Sequence, residues 1–188
     1  MLPAGETALI TLRLPGTIPA ATARELKVDL AAAQEAGLDH RHARKAFFAK
    51  FDAVLDRAPT GRRYFENEKI AGVLAGEIMM LAETGFVGHG FAILPNHAHA
   101  VLHLPASSRL AFAPAIDLLH QRTGQLCRRL VRPKLLPNAP FWQVGWHDYP
   151  VADGAELMRI VAYVRGQARQ AGLAQRFLAW PYAAAETA

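Results

Sequence analysis

The chain has 188 residues, of which 52% are hydrophobic and 20% are charged, so its composition excludes disordered and fibrous proteins. Its single cysteine, Cys127, has no partner in the chain, which excludes a disulfide scaffold and favours a reduced cytoplasm. Every apolar stretch is interrupted well before the roughly 18 residues that a membrane span needs. The N-terminus lacks the basic start and apolar run of a secretory signal, so we expect a cytoplasmic protein without a membrane partner.

The net charge of +5 is concentrated in one part of the chain. Residues 109–149 contain six basic and two acidic side chains, and residues 122–134 contain five basic and no acidic ones. Such a basic strip is typical of a surface that meets a polyanion, although a solvated helix face would have the same composition. The five basic residues are Arg122, Arg128, Arg129, Arg132 and Lys134.

The first third of the chain predicts one strand followed by helices. Residues 7–14 are apolar and β-branched and end at Pro15-Gly16, which predicts a first strand. Residues 20–36 and 42–55 are rich in alanine, lysine, glutamate and leucine and predict two helices. Residues 68–83 carry apolar side chains at helical spacing and predict a third, amphipathic helix.

The remainder predicts a hairpin between helices. Residues 91–94 and 97–104 are short apolar strands separated by a Pro-Asn turn. Residues 114–131 form the basic helix, residues 141–151 an extended segment, and residues 155–171 the last helix.

This order of elements favours an α+β fold in which helices pack on one antiparallel sheet. We expect a single domain over residues 1–180, with a helical insertion at about residues 20–57 after the first strand. Residues 181–188 are small and are predicted to form a frayed, flexible tail.

Two histidines of the second hairpin strand are candidate metal ligands. His97 and His99 are two residues apart, so on a strand their side chains point to the same face. Two adjacent imidazoles on a rigid strand can bind one divalent ion, although surface histidines produce the same pattern by chance. The opposite face of this strand is wholly apolar and is expected to pack on helices.

The last helix carries a polar strip that includes a tyrosine. Tyr163 and Gln167 lie one turn apart on the side opposite to the apolar residues. The hydroxyl of Tyr163 would then lie among groups that bind ions or phosphate. A half-buried tyrosine that only covers an apolar edge has the same spacing.

Together these motifs resemble those of the REP-associated tyrosine transposases, which belong to the HUH single-tyrosine transposase superfamily. The sequence Leu-Pro-Asn-His-Ala-His at residues 94–99 is similar to the family's Met-Pro-Asn-His-x-His signature. The blocks at residues 10–14, 47–56, 141–148 and 163–173 follow in the family's order, so the resemblance extends from about residue 8 to residue 180.

The resemblance implies a ferredoxin-like fold and a metal-dependent endonuclease and strand transferase that acts on single-stranded or hairpin DNA. It implies that His97 and His99 bind Mg²⁺ or Mn²⁺, that Gln167 joins them, and that Tyr163 is the nucleophile that forms a 5′-phosphotyrosine. We expect the basic strip to contact the DNA backbone and Trp146 to stack on a base. A nucleoid-associated protein, and a possible homodimer, follow from the same resemblance.

The sequence departs from the family pattern at two motifs. The family's Asn-Pro after the tyrosine is here Gln167-Ala168, so the helix need not bend, and Leu94 replaces the usual methionine. Two other functions therefore stay open. One is a domesticated nucleic-acid-binding module without activity, and the other is a metallophosphodiesterase that uses metal-bound water.

Overall fold

The computed structural model describes residues 2–37, 39–57 and 61–185 and contains one antiparallel sheet. Its strand order is β4-β1-β3-β2-β5, and every neighbouring pair is antiparallel. The strands are β1 (Thr7–Arg13), β2 (Val87–Ile93), β3 (His97–His103), β4 (His147–Val151) and β5 (Ala183–Ala185).

Five α-helices connect these strands within the described residues, three of them between β1 and β2. They are α1 (Ala20–Glu35), α2 (His40–Arg57), α3 (Glu68–Met80), α4 (Phe112–Arg128) and α5 (Gly154–Gln170). The first four strands, in the order β4-β1-β3-β2 with helices between β1 and β2 and between β3 and β4, form the predicted ferredoxin-like sheet. That prediction is confirmed. Among the described residues, no helix is both long and apolar enough to cross a membrane.

The alternating side chains of β3 separate the two layers of helices. Ala98, Ala100 and Leu102 face the main core, where α3 and α4 pack, as the apolar face of the strand predicts. His97 and His99 point to the opposite face, where Val101 packs with side chains of α2 and α5. The candidate metal ligands therefore lie on the face covered by α2 and α5.

The helical insertion begins and ends at one point of the fold. Gly61 has a φ of +93°, and a side chain there would lie 2.7 Å from the backbone of Gly16. Only glycine fits this close approach of the two ends of the insertion. Arg44 of α2 forms an ion pair with Asp148 at 2.5 Å, which ties the insertion to β4.

The predicted flexible tail is wrong for the described part of the C-terminus. The side chain of Tyr182 is only 2% exposed, and the backbone N–H of Ile93 donates to its carbonyl oxygen at 2.6 Å. Ala183–Ala185 then pair with β2 as the edge strand β5. Alanine has little β propensity, so the strand forms because the exposed edge of β2 offers it hydrogen bonds. Residues 186–188 lie outside the described residues.

A buried carboxylate connects the insertion, β4 and α5. Glu156 accepts hydrogen bonds from Lys45 Nζ, the Tyr149 hydroxyl and the backbone N–H of Ala152, each at 2.6 Å. Burial would raise the pKa of Glu156, but these bonds outweigh it and lower the pKa to about 2. Asp153 caps α5 by accepting the backbone N–H of Glu156, so the junction also fixes where α5 begins.

We predict that Glu156→Gln lowers the free energy of unfolding at pH 7 by about 1–3 kcal/mol, because it removes the charge that these donors stabilise. A depressed native pKa contributes stability above the ordinary value of 4.5. That contribution is lost as the pH falls towards about 2, so the difference between native and variant should shrink below pH 4.5.

Urea denaturation at pH 7 and pH 3 measures this difference. The control is Asp29→Asn, which breaks the exposed pair with Lys50 and should change stability by less than about 1 kcal/mol. Equal effects of the two variants at pH 7 would contradict the assignment.

Candidate active site

The two histidines of β3 lie side by side beneath α2 and α5. The ring centroids of His97 and His99 are 4.9 Å apart, and the planes meet at 78°. Both side chains are buried, at 1% and 0% exposure, so they do not form a solvated surface pair. Two enclosed imidazoles with converging edges fit a ligand site better than a chance pattern on an open sheet.

Each imidazole is oriented through its Nδ1 atom. His97 Nδ1 donates to the side-chain oxygen of Asn96 at 2.8 Å, which leaves its Nε2 with a free lone pair. His99 Nδ1 is hydrogen-bonded to the hydroxyl oxygen of Thr11, on the paired strand β1, at 2.9 Å. Such bonds to the second ring nitrogen are how proteins orient metal-binding histidines.

The tyrosine of α5 lies against the histidine pair. Tyr163 is half-buried, and its ring centroid is 6.3 Å from that of His99. One turn later Gln167 is 1% exposed, and its Nε2 donates to the Tyr163 hydroxyl. The structure therefore brings together all four residues that the sequence places in the catalytic and metal sites.

A fifth residue, Asp52 of α2, completes the site and was missed in the sequence analysis. The Tyr163 hydroxyl donates to Asp52 Oδ2, and Asp52 Oδ1 lies 3.3 Å from His99 Nε2. A signal exists in the sequence, because Asp52 lies on the apolar face of α2 between three buried residues at helical spacing. Those residues are Phe48, Phe51 and Leu55.

Four buried atoms of this site have no hydrogen-bond partner among the described residues. They are His97 Nε2, His99 Nε2, Asp52 Oδ1 and Gln167 Oε1. Leaving such groups unpaired is costly, and all four can present lone pairs, which a divalent cation would satisfy. The site residues therefore fit the metal that the HUH resemblance implies.

The electrostatics of the site favour a neutral imidazole at His97. Burial, and then the neighbouring His99, lower the pKa of His97 well below its usual value. A neutral imidazole is the form that binds a metal. Within the described ranges, no three histidine, cysteine or carboxylate side chains are placed to hold a metal by themselves, so the amide oxygen of Gln167 would be needed as well.

The predicted basic strip lies on the other side of the sheet, because the buried side chains of α4 pack in the core on the α3 face. Arg122 forms a double ion pair with Glu77, with distances of 3.0 and 3.1 Å. Arg128 donates to the carbonyl oxygens of the loop after α4, including that of Pro137 at 2.6 Å. Both guanidinium groups thus have partners within the protein, which weakens their availability to phosphate.

The remaining members of the strip differ in whether their charged groups have partners within the protein. The Arg132 guanidinium donates to the carbonyls of Arg129 and Val131 at 2.9 and 2.8 Å. Arg129 and Lys134 are exposed and form no ion pair with any described residue. The indole N–H of Trp146 donates to Asp117 at 2.8 Å, and its half-buried ring packs against the main core.

Comparison with solved structures identifies a REP-associated tyrosine transposase bound to a REP hairpin as a structure with the same fold. The superposition covers 96% of this chain and 76% of that one, with a TM-score of 0.53 and 12% sequence identity. The resemblance inferred from the motifs is therefore confirmed at the level of fold. No family model matches the sequence, and comparison with curated proteins returns no relative.

We predict that the strip contacts nucleic acid mainly through Arg129 and Lys134. Their double alanine variant should reduce the slope of log affinity against log salt by about 1.4, which is two contacts of about 0.7 each on a single strand. Arg122→Ala should change that slope less, since Glu77 already compensates its charge. Fluorescence anisotropy of a labelled oligonucleotide over a salt series measures both. A larger effect from Arg122→Ala would contradict this ranking.

Proposed function

We propose that this protein is a transposase-like endonuclease and strand transferase that cuts single-stranded or hairpin DNA through Tyr163. The observation that carries the proposal is the junction of Tyr163, Asp52 and Gln167 beside the enclosed pair His97 and His99. The proposal takes Tyr163 as the nucleophile, Asp52 as its hydrogen-bond acceptor, and the histidine pair with Gln167 as cation ligands. The region that these five residues share, between α2, α5 and the sheet, is called the crevice below. The shared fold with the hairpin-bound transposase supports DNA as the substrate class.

His97, His99 and Gln167 would hold Mg²⁺ or Mn²⁺, with Asp52 Oδ1 close to the same set. When bound there, the ion would offset negative charge on the non-bridging oxygens of the scissile phosphate. The amide and carboxylate oxygens suit either ion. Thr11 and Asn96 keep the imidazoles in orientation whether or not a metal is present.

The Tyr163 oxygen would attack phosphorus as the bond to the 3′ oxygen breaks. The new bond is a phosphotyrosine at the 5′ end of the downstream strand, and the departing 3′ oxygen takes up a proton from water. Because the phosphodiester energy is conserved, a 3′ hydroxyl can later attack the phosphotyrosine and join two strands. The half-exposed position of Tyr163 leaves the outer edge of the crevice accessible to a strand.

Asp52 would accept the proton of the Tyr163 hydroxyl. Its Oδ2 atom accepts the hydrogen bond of the Tyr163 hydroxyl, so it orients the phenol and can receive its proton during attack. Gln167 donates to the same oxygen and fixes the direction of the remaining lone pair. Together these two hydrogen bonds would hold the oxygen in a fixed orientation for the attack.

The experiment that tests the proposal is cleavage of an end-labelled hairpin oligonucleotide in Mn²⁺, followed by denaturing electrophoresis. We expect a covalent adduct between the protein and the 5′ end of the downstream fragment, which mass spectrometry should place on the peptide containing Tyr163. Tyr163→Phe keeps the ring and its packing but lacks the attacking oxygen, so adduct and cleavage should both be lost. Chelation of divalent metal, or His97→Ala, should also stop cleavage.

The matched control is Tyr64→Phe, which removes a hydroxyl from a half-buried tyrosine that stacks on Phe141, outside the crevice. It should cut at the native rate. Cleavage by Tyr163→Phe at an undiminished rate would instead indicate hydrolysis by water. Binding of hairpin DNA by the native protein with no cleavage would indicate a nucleic-acid-binding module without activity.

A further inference from the structure

A second cationic site lies on the same sheet face as the histidine pair. Arg13 ends β1 and is paired in the ladder with His97, so the two residues are neighbours on adjacent strands. Thr11, two residues earlier, lies between His99 on β3 and His147 on β4. Because residues two apart on a strand share a face, Arg13 points to the side where Thr11 contacts His99.

The guanidinium of Arg13 is half-buried without a carboxylate partner among the described residues. Its one hydrogen bond to a described residue is a long contact of 3.5 Å to the Thr17 hydroxyl, and its Cζ lies 5.9 Å from the ring centroid of Phe51. Burial lowers the pKa of Arg13, which is the effect of removing a cation from water without compensation. Buried arginines are normally paired, so this one is poised for an anion that the chain does not supply.

Further positive charges act on the neighbouring imidazole, that of His147. The His147 ring packs against Phe51 at an interplanar angle of 51°, with centroids 4.1 Å apart. Burial, followed by the charges of Arg13, Lys27 and Arg44, lowers the pKa of His147 to about 4. Arg44 is compensated by its ion pair with Asp148, whereas Arg13 has no carboxylate partner among the described residues.

We propose that Arg13, with His147, forms a phosphate subsite that binds a backbone phosphate of the DNA strand next to the scissile one. The planar guanidinium matches two phosphate oxygens, and the neutral imidazole can donate one further hydrogen bond. In the sheet, β4 lies two strands from β3, a distance of about 10 Å. A DNA strand covers this distance within a few nucleotides. The subsite rests on the proposed function, because it orders the same substrate at the same crevice.

The position of the basic strip strengthens this assignment. Arg129 and Lys134 belong to the α4 side of the sheet, away from His97 and His99. A DNA strand bound only to that surface would not be held at the crevice. The Arg13 cluster supplies positive charge on the α2 and α5 side, where the phosphate to be cut must lie.

The test is a double-mutant cycle in the Tyr163→Phe protein, which binds DNA without cutting it. Single phosphates of the oligonucleotide are replaced in turn by neutral methylphosphonates, and affinity is measured for Arg13 and for Arg13→Gln. We expect Arg13→Gln to weaken binding about tenfold, which corresponds to one charge-assisted contact. At one phosphate the methylphosphonate should cost the Arg13 protein a similar factor and cost the Arg13→Gln protein nothing.

Two further variants make the cycle decisive. Arg13→Lys keeps the charge without the planar fork, so it should bind with intermediate affinity and also show that the fold tolerates substitution. Arg109→Gln, an exposed arginine beyond the opposite end of β3, should leave the cycle unchanged. Additive effects of Arg13→Gln and methylphosphonate at every position would overturn the subsite.

Failure of the subsite is distinguishable from failure of the proposed function. If the native protein cuts DNA but the cycle is additive throughout, the endonuclease stands and the subsite does not. If the native protein never cuts DNA but one phosphate couples to Arg13, the subsite is confirmed. The protein is then a DNA-binding module without activity.

Discussion

The carboxylate of Asp52 makes the contacts on which the arrangement of the site depends. It comes from the helical insertion, yet it touches the Tyr163 hydroxyl of α5 and lies 3.3 Å from the Nε2 atom of His99 on β3. A buried carboxylate is tolerated only when polar groups compensate it. The close packing of α2 over the sheet and the position of Tyr163 therefore depend on each other.

A second buried carboxylate supports the same geometry from the far end of α5. Glu156 joins Lys45 of α2, Tyr149 of β4 and the first turn of α5. With Asp52 at one point of α2 and Lys45 at another, the insertion is held to α5 along two helical turns. The insertion is thus part of the site and not an appendage after the first strand.

Local patterns were sufficient to predict an antiparallel sheet with packed helices and the histidine pair on one face of a strand. The alternation of histidine and alanine along β3 determines which side chains share a face, and this holds in the structure. The i, i+4 spacing of Tyr163 and Gln167 likewise requires only an α-helix. The role of Asp52 could not be predicted in this way, because it depends on how α2 packs across the sheet, a contact between residues 111 positions apart. The edge strand Ala183–Ala185 was missed for a similar reason, since its pairing with β2 overrides its low β propensity.

The residues proposed for DNA affinity and those proposed for catalysis lie on opposite faces of the sheet. Exposed cations of the α4 side can attract a polyanion in a salt-dependent way, whereas the crevice side carries the proposed nucleophile Tyr163, the imidazoles and Arg13. The proposed orientation of Tyr163 by Asp52 can be tested through single-turnover cleavage by Asp52→Asn. We expect the rate to fall by about 10²–10³-fold, with DNA affinity and the fold retained, because the amide keeps the shape of the carboxylate but is a poor proton acceptor. Cleavage by Asp52→Asn at the native rate would contradict it.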